Sequence, residues 1–139
     1  MTYPEDVNTL TRKGYSMTSV GPDFVALQVR DLEKSAQFYE RRLGLKRSPH
    51  HPDGAIVFNT DPIPFAVRKP LPGVDLDATS PYPGTGVALW IYVPDSQQLF
   101  DELEEYGVKV ETPLNETPFG KAFSLRDPDG YLLTIHDKK

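Results

Sequence analysis

Three histidines and no cysteine bound the side-chain chemistry open to this chain of 139 residues. His50 and His51 stand together in RSPHHPDG, and His136 stands near the end of GYLLTIHD. Paired histidines can hold a metal loosely, but neighbours in an extended segment point to opposite sides, so a solvated loop is expected. His136 has the chemistry of a general base. No second catalytic partner is visible for it, and a strand-end histidine near the surface is the expected setting. Without cysteine, disulfides and thiolate nucleophiles are excluded. Arg68, in PFAVRKP, carries a planar fork that fits a carboxylate, with a surface ion pair as the plainer role. The only tryptophan, Trp90, shares ALWIYVPD with Tyr92. A stacking platform and ordinary core packing are both open for it.

The elements that must position these residues emerge from an internal repeat. Residues 24–31, FVALQVRD, can be laid on residues 88–95, ALWIYVPD, so that Val29 falls on Val93 and Asp31 on Asp95. Both stretches alternate like strands and end at an aspartate, a favoured helix N-cap. Asp95 with Gln98 has the spacing of a capping box. Apolar residues then recur at helical spacing, Leu32, Ala36, Tyr39 and Leu43 in one copy and Leu99, Phe100, Leu103 and Tyr106 in the other. This predicts helices over 32–43 and 96–106, each stopped by a glycine, Gly44 or Gly107, suited to a left-handed C′ position. Short extended segments follow in each copy, with turns at Asp61-Pro62 and at Asp127-Pro128-Asp129-Gly130.

The chain therefore reads as α+β, with a βαβββ unit used twice. The modules are expected at about 22–70 and 85–137, within one domain over 22–139. A Pro/Gly-rich stretch at about 70–85 is read as the crossover between modules rather than as a lid. Residues 1–21 fall outside the repeat and form a loosely attached N-terminal arm. Fourteen prolines, most of them in connections, agree with many short strands.

Composition closes other routes. Fifteen Lys and Arg against twenty Asp and Glu leave a net charge of −5. No run of basic residues marks a nucleic-acid surface. No apolar run is long enough to span a membrane. The N-terminus has neither the apolar core nor the charge order of a secretory signal, so a cytoplasmic location is expected. Mild acidity suits solubility first and a cationic small molecule second.

With VRDLEKSAQFYERRLGL near the start and FSLRDPDGYLLTIHD at the end, the repeat resembles the vicinal oxygen chelate superfamily. That superfamily includes glyoxalase I, fosfomycin resistance proteins, extradiol dioxygenases and bleomycin resistance proteins. The resemblance covers roughly residues 22–137. It implies two βαβββ modules forming a cupped mixed β-sheet with flanking helices, and a homodimer. Relatives that use a metal hold it with His, Gln or Glu facing into the cup. Carried onto this chain, those positions fall on Phe24, Ala66, Ala88 and Thr134. Phe and Ala have no donor atom and a neutral Thr hydroxyl is a weak one, so no metal and no cofactor are expected.

Strand alternation then places a lining around those positions: Phe24, Gln28, Arg68, Ala88, Trp90, Tyr92, Thr134 and His136. Gln28 either orients a ligand amide or is a solvated strand residue. Apolar walls with few orienting polar groups are the make-up of a small-molecule site. The function expected is metal-independent binding of a hydrophobic or aromatic antibiotic or metabolite, as in the bleomycin resistance branch. The alternative is an enzyme: a divergent glyoxalase-like lyase or dioxygenase with displaced ligands, or a metal-free isomerase using Tyr92, Arg68 or His136.

Overall fold

The computed structural model describes residues 17–139, so the greater part of the expected N-terminal arm, residues 1–16, lies outside the described residues. Strand β1 (Val25–Gln28) leads into helix α1 (Leu32–Arg41), followed by β2 (Lys46–Arg47), β3 (Ala55–Asn59) and β4 (Phe65–Arg68). A second unit repeats that order as β5 (Leu89–Tyr92), α2 (Ser96–Glu105), β6 (Val110–Thr117), β7 (Gly120–Arg126) and β8 (Leu132–His136). Each unit forms its own four-stranded mixed sheet, ordered β1-β4-β3-β2 and β5-β8-β7-β6. First and last strands pair in parallel, β1 with β4 and β5 with β8, while the remaining pairs are antiparallel. This is the twofold βαβββ architecture that the repeat predicts.

Both helices begin as the sequence leads one to expect. Asp31 accepts from the backbone N–H of Lys34 at 3.1 Å, and Asp95 from that of Gln98 at 3.0 Å. Each cap satisfies one donor that the first turn leaves open. The capping box at Asp95 is only half built. Gln98 turns its amide along the helix to Glu102 at 3.2 Å instead of back to the cap. The helices end slightly before the expected limits, at Arg41 and Glu105. Gly44 and Gly107 follow with φ of 72° and 75°, a region in which a side chain is strained.

Alternation divides each sheet into two faces. Leu27, Val29, Ile56, Phe58 and Val67 pack with Ala36 and Tyr39 of α1, and Phe123, Leu125, Leu133 and Ile135 pack with Leu103 of α2. These residues belong to one contiguous core that includes both units. Ring contacts tighten it: Tyr39 lies 5.0 Å from Phe65, and Phe100 lies 5.3 Å from Phe123. Among the described residues the opposite face of each sheet carries no helix, and the expected site residues lie there. Among the described residues, no helix is long and apolar enough to cross a membrane.

The two units are joined where the turn at residues 127–130 meets the first unit. Asp127 Oδ1 accepts the N–H groups of Asp129, Gly130 and Tyr131 at 2.9, 3.0 and 2.9 Å, which holds the turn closed. Its other oxygen accepts the Tyr39 hydroxyl at 2.7 Å. Tyr131 returns the contact, its hydroxyl donating to the Gln28 carbonyl at 2.7 Å. Arg30 adds a backbone bond to Asp129 at 2.8 Å and an ion pair to the same carboxylate at 3.1 Å. The crossover stretch is pinned across this junction. Asp77 pairs with Arg30 at 2.7 Å, and the Tyr82 ring lies 3.6 Å beneath the Arg126 guanidinium. Gly130 is required at that contact, because a Cβ there would meet the Tyr82 ring at 2.9 Å.

Candidate functional site

Register shows how far the two halves of the site are equivalent. On β1 and β4, Ala26 stands opposite Ala66 and Gln28 opposite Arg68. On β5 and β8, Trp90 stands opposite Thr134 and Tyr92 opposite His136. Ala66 and Thr134 therefore occupy matching places, as do Arg68 and His136. Phe24 and Ala88 immediately precede β1 and β5, again in matching places. The alignment of residues 24–31 on 88–95 made from the sequence holds across β1 and β5, and the register extends it to β4 and β8.

At the four positions onto which the resemblance carries ligand places, donor chemistry is poor. Phe24, Ala66 and Ala88 have no donor atom, and Thr134 offers one neutral hydroxyl. Among the described residues, no group of three or more His, Asp or Glu side chains could hold a metal ion. The residues present do not fit the divalent ion that the resemblance brings with it. His50 and His51 are exposed in the loop between β2 and β3.

The second sheet instead displays an aromatic platform. Trp90 is 47% exposed, Tyr92 42% and Phe119 53%, so Trp90 is a surface group and not part of the core. The His136 ring lies between them, 5.5 Å from Trp90, 6.0 Å from Tyr92 and 6.4 Å from Phe119. Trp90 and Phe119 meet edge to face at 5.4 Å. All of these spacings fall in the range where aromatic rings attract one another. His136 Nδ1 lies 3.0 Å from the carbonyl of Lys138. A carbonyl only accepts, so Nδ1 carries the proton and Nε2 is left for a ligand. Lys139 completes the group, with Nζ 4.7 Å from the centre of the Tyr92 ring.

On the first sheet, Phe24 is 49% exposed and so does not plug a closed core. Gln28 is partly spoken for, its Oε1 accepting the N–H of Leu71 from the crossover at 2.8 Å. Neither expectation for Gln28 included that role. Arg68 forms no ion pair among the described residues. Its Nε donates to the Lys69 carbonyl at 3.0 Å, and its two terminal nitrogens have no partner among the described residues. Two open depressions lie beside these residues rather than among them. One of about 300 Å³ is bordered by Val57, Asn59, Asp61 and Pro64, and one of about 70 Å³ by Arg30, Lys34 and Asp129. Within one chain the expected lining forms two open faces, not an enclosed cavity.

Sequence reasoning passed over Phe119, Lys139 and Arg126. Phe119 sits in the turn between β6 and β7, where alternation along a strand says nothing. Arg126, opposite Leu132 on the helix-free face, was legible from the same alternation that found Thr134.

Comparison with known proteins bears on the fold. The sequence profile of the Glyoxalase/Bleomycin resistance protein/Dioxygenase superfamily matches residues 21–135. No curated protein matches the chain. Among solved structures, TnmS3, an antibiotic binding protein from Streptomyces sp. CB03234, is 22% identical, with a TM-score of 0.67 over 89% of this chain and 100% of that one. A lactoylglutathione lyase from Agrobacterium tumefaciens is 19% identical, with a TM-score of 0.62 over 86% of this chain and 94% of that one. A glyoxalase/bleomycin resistance protein from Streptomyces sp. CB03234 is 22% identical, with a TM-score of 0.65 over 84% of this chain and 100% of that one. At these identities the likeness is one of fold.

Proposed function

The chain belongs to the Glyoxalase/Bleomycin resistance protein/Dioxygenase superfamily, and from that premise we propose that it binds a small aromatic molecule without using a metal ion. The observation that carries this reading is the chemistry of the four ligand positions, where Phe24, Ala66, Ala88 and Thr134 stand. A metal-dependent lyase or dioxygenase needs an ion that polarises its substrate, and such residues cannot hold one. The aromatic platform at Trp90, Tyr92, Phe119 and His136 supports stacking on a planar ligand. The lining residues are Phe24, Gln28, Arg68, Ala88, Trp90, Tyr92, Thr134 and His136. An antibiotic is a ligand of fitting character, by analogy with the antibiotic binding protein of the same fold.

The active form is a homodimer. Phe24, Trp90, Tyr92 and Phe119 are large apolar groups exposed on open faces, and covering them with a second copy would turn two open faces into walls of a pocket. No observation favours catalysis. His136 is ringed by aromatic groups and has no carboxylate partner among the described residues to orient it as a base.

The test joins fluorescence to elemental analysis. Trp90 is the sole tryptophan, so its emission should shift on titration with planar aromatic antibiotics. Trp90→Ala, followed by titration calorimetry because it lacks the fluorescent reporter, should weaken binding by about tenfold or more, the equivalent of about 1.4 kcal/mol or more, while leaving the chain folded. Protein prepared without an affinity tag should contain no stoichiometric divalent ion. About one ion per chain, removable with loss of an enzymatic activity, would overturn the reading.

A further inference from the structure

Charge is unevenly placed in this molecule. Although the chain carries −5 overall, most carboxylates of the described residues lie on the helices, the helix caps and the junction between units, with Asp61 an exception beside Val57 and Asn59. Asp31 and Asp95 cap helices. Glu33 and Glu40 are held by Arg47 at 2.9 and 2.6 Å, and Asp129 is held by Arg30. Asp137 points back to the N–H groups of Lys121 and Ser96.

The helix-free faces are the reverse. Lys46 stands opposite Asn59, Arg68 opposite Gln28 and Ala55, and Arg126 opposite Leu132. Lys139 lies over Tyr92 beside His136. Among the strand residues described on these faces the one carboxylate is Glu111, and it lies 3.6 Å from Arg126, already matched. Arg68 presents its two terminal guanidinium nitrogens without a partner among the described residues, a fork shaped to take two carboxylate oxygens. Arg68 on the first sheet and Lys139 beside the second have no carboxylate partner among the described residues, so a cationic ligand would meet a bare positive charge at either face, whereas an anion would complete it.

Resting on the binding function proposed above, we infer that the ligand is a planar aromatic anion, stacked on the Trp90 platform with its acidic group drawn to the cations of the helix-free faces. This reverses the preference that net charge alone suggests. Local placement outweighs the total because charges more than about a Debye length away, about 8 Å at physiological salt, are largely screened.

Three naphthalenes of one size test it: 2-naphthoate, 2-naphthylmethylammonium and 2-naphthalenemethanol. Each is titrated into the purified full chain at low salt, following Trp90 emission. The naphthoate should bind about tenfold or more tighter than the ammonium compound, with the alcohol between them. Salt raised to about 0.15 M should narrow that gap, because the interaction is between exposed charges. Arg68→Gln should reduce naphthoate affinity towards that of the alcohol. Lys46→Gln, at an exposed edge position where folding is not at stake, should narrow the gap by less. An ammonium compound that binds as tightly as the carboxylate, or tighter, overturns the charge assignment while leaving aromatic binding in place. A naphthoate preference that survives both substitutions unchanged overturns the role of these faces. Silence from all three compounds overturns the binding function and this inference together.

Discussion

Asp127 does two jobs with one carboxylate, and they pull its proton in opposite directions. Burial raises its pKa above the ordinary 3.8, while hydrogen bonds from the Tyr39 hydroxyl and from the Tyr131 and Asp129 N–H groups pull it down without reversing the shift. The Tyr39 phenol is itself pushed well up by burial and by the adjacent Asp127 charge, so it keeps its proton and remains the donor. The sign of the pH effect follows from linkage. In the unfolded chain Asp127 returns to its ordinary value, so between that value and the raised one the folded chain binds more protons than the unfolded chain. Its contribution to stability therefore falls as pH rises through that interval and grows as pH drops towards 3.8. Asp127→Asn removes this contribution while keeping an oxygen for the backbone donors. The stability of the parent relative to Asp127→Asn should rise as the pH is lowered from about 7 to about 4, read from urea midpoints. A difference that is flat or shrinks on acidification rejects the argument. In the sequence this residue is legible only as the first position of a turn. Its partner Tyr39 lies in a distant helix, and no local pattern links the two.

Between residue and molecule, the helices show which structure a sequence makes plain. Their caps depend on groups three positions apart, so Asp31 and Asp95 can be recognised without knowing the fold. Asp31→Ala and Asp95→Ala should each lose about 0.5–2 kcal/mol, with Asn at either site retaining most of it. The two losses should be similar, since each cap makes one bond of nearly equal length. Chemical denaturation of the four variants checks this, and a loss at one site with none at the other would break the equivalence of the units. The strands are legible for the same reason: alternation and the repeat lay β1 on β5 and give each strand its two faces, while the matching of Ala66 with Thr134 and of Arg68 with His136 follows only from the strand register. The crossover is not. It was read as a plain connection, yet it makes a helical turn at Leu76–Ala78 and anchors through Asp77 on Arg30, Tyr82 on Arg126 and Leu71 on Gln28. Each of those partners lies outside the crossover itself, so nothing within residues 70–85 announces them. Phe119 was missed for a related reason, because only the folded hairpin brings its turn up beside Trp90 and His136.

At the scale of the whole chain, two repeated units need not behave as two independent ones. Each has its own sheet, and no strand pairing joins β1 to β5. Two sheets joined only by a crossover would be expected to melt separately. Three features argue otherwise. The buried core is continuous from Leu27 and Tyr39 in the first unit to Phe123 and Leu133 in the second. The turn at 127–130 is bonded to Tyr39, Arg30 and, through Tyr131, to Gln28. Arg42, at the end of α1, lies 4.3 Å over the ring of Tyr106 at the end of α2. Unfolding either unit would strip apolar cover from the other and leave Asp127 buried without its phenol, at a cost of about 1–3 kcal/mol for the lost hydrogen bond alone. The chain should therefore unfold in one cooperative step. Trp90 makes this measurable, since its emission reports the second unit alone while far-ultraviolet circular dichroism reports both. The two signals should trace a single urea transition with the same midpoint, at protein concentrations kept equal so that any assembly affects both alike. Tyr39→Phe should lower that midpoint for both probes together. A Trp90 transition that separates from the dichroism signal, in the parent or in Tyr39→Phe, would show that the shared core does not couple the units, and the junction at residues 127–131 would then be a contact rather than a clamp.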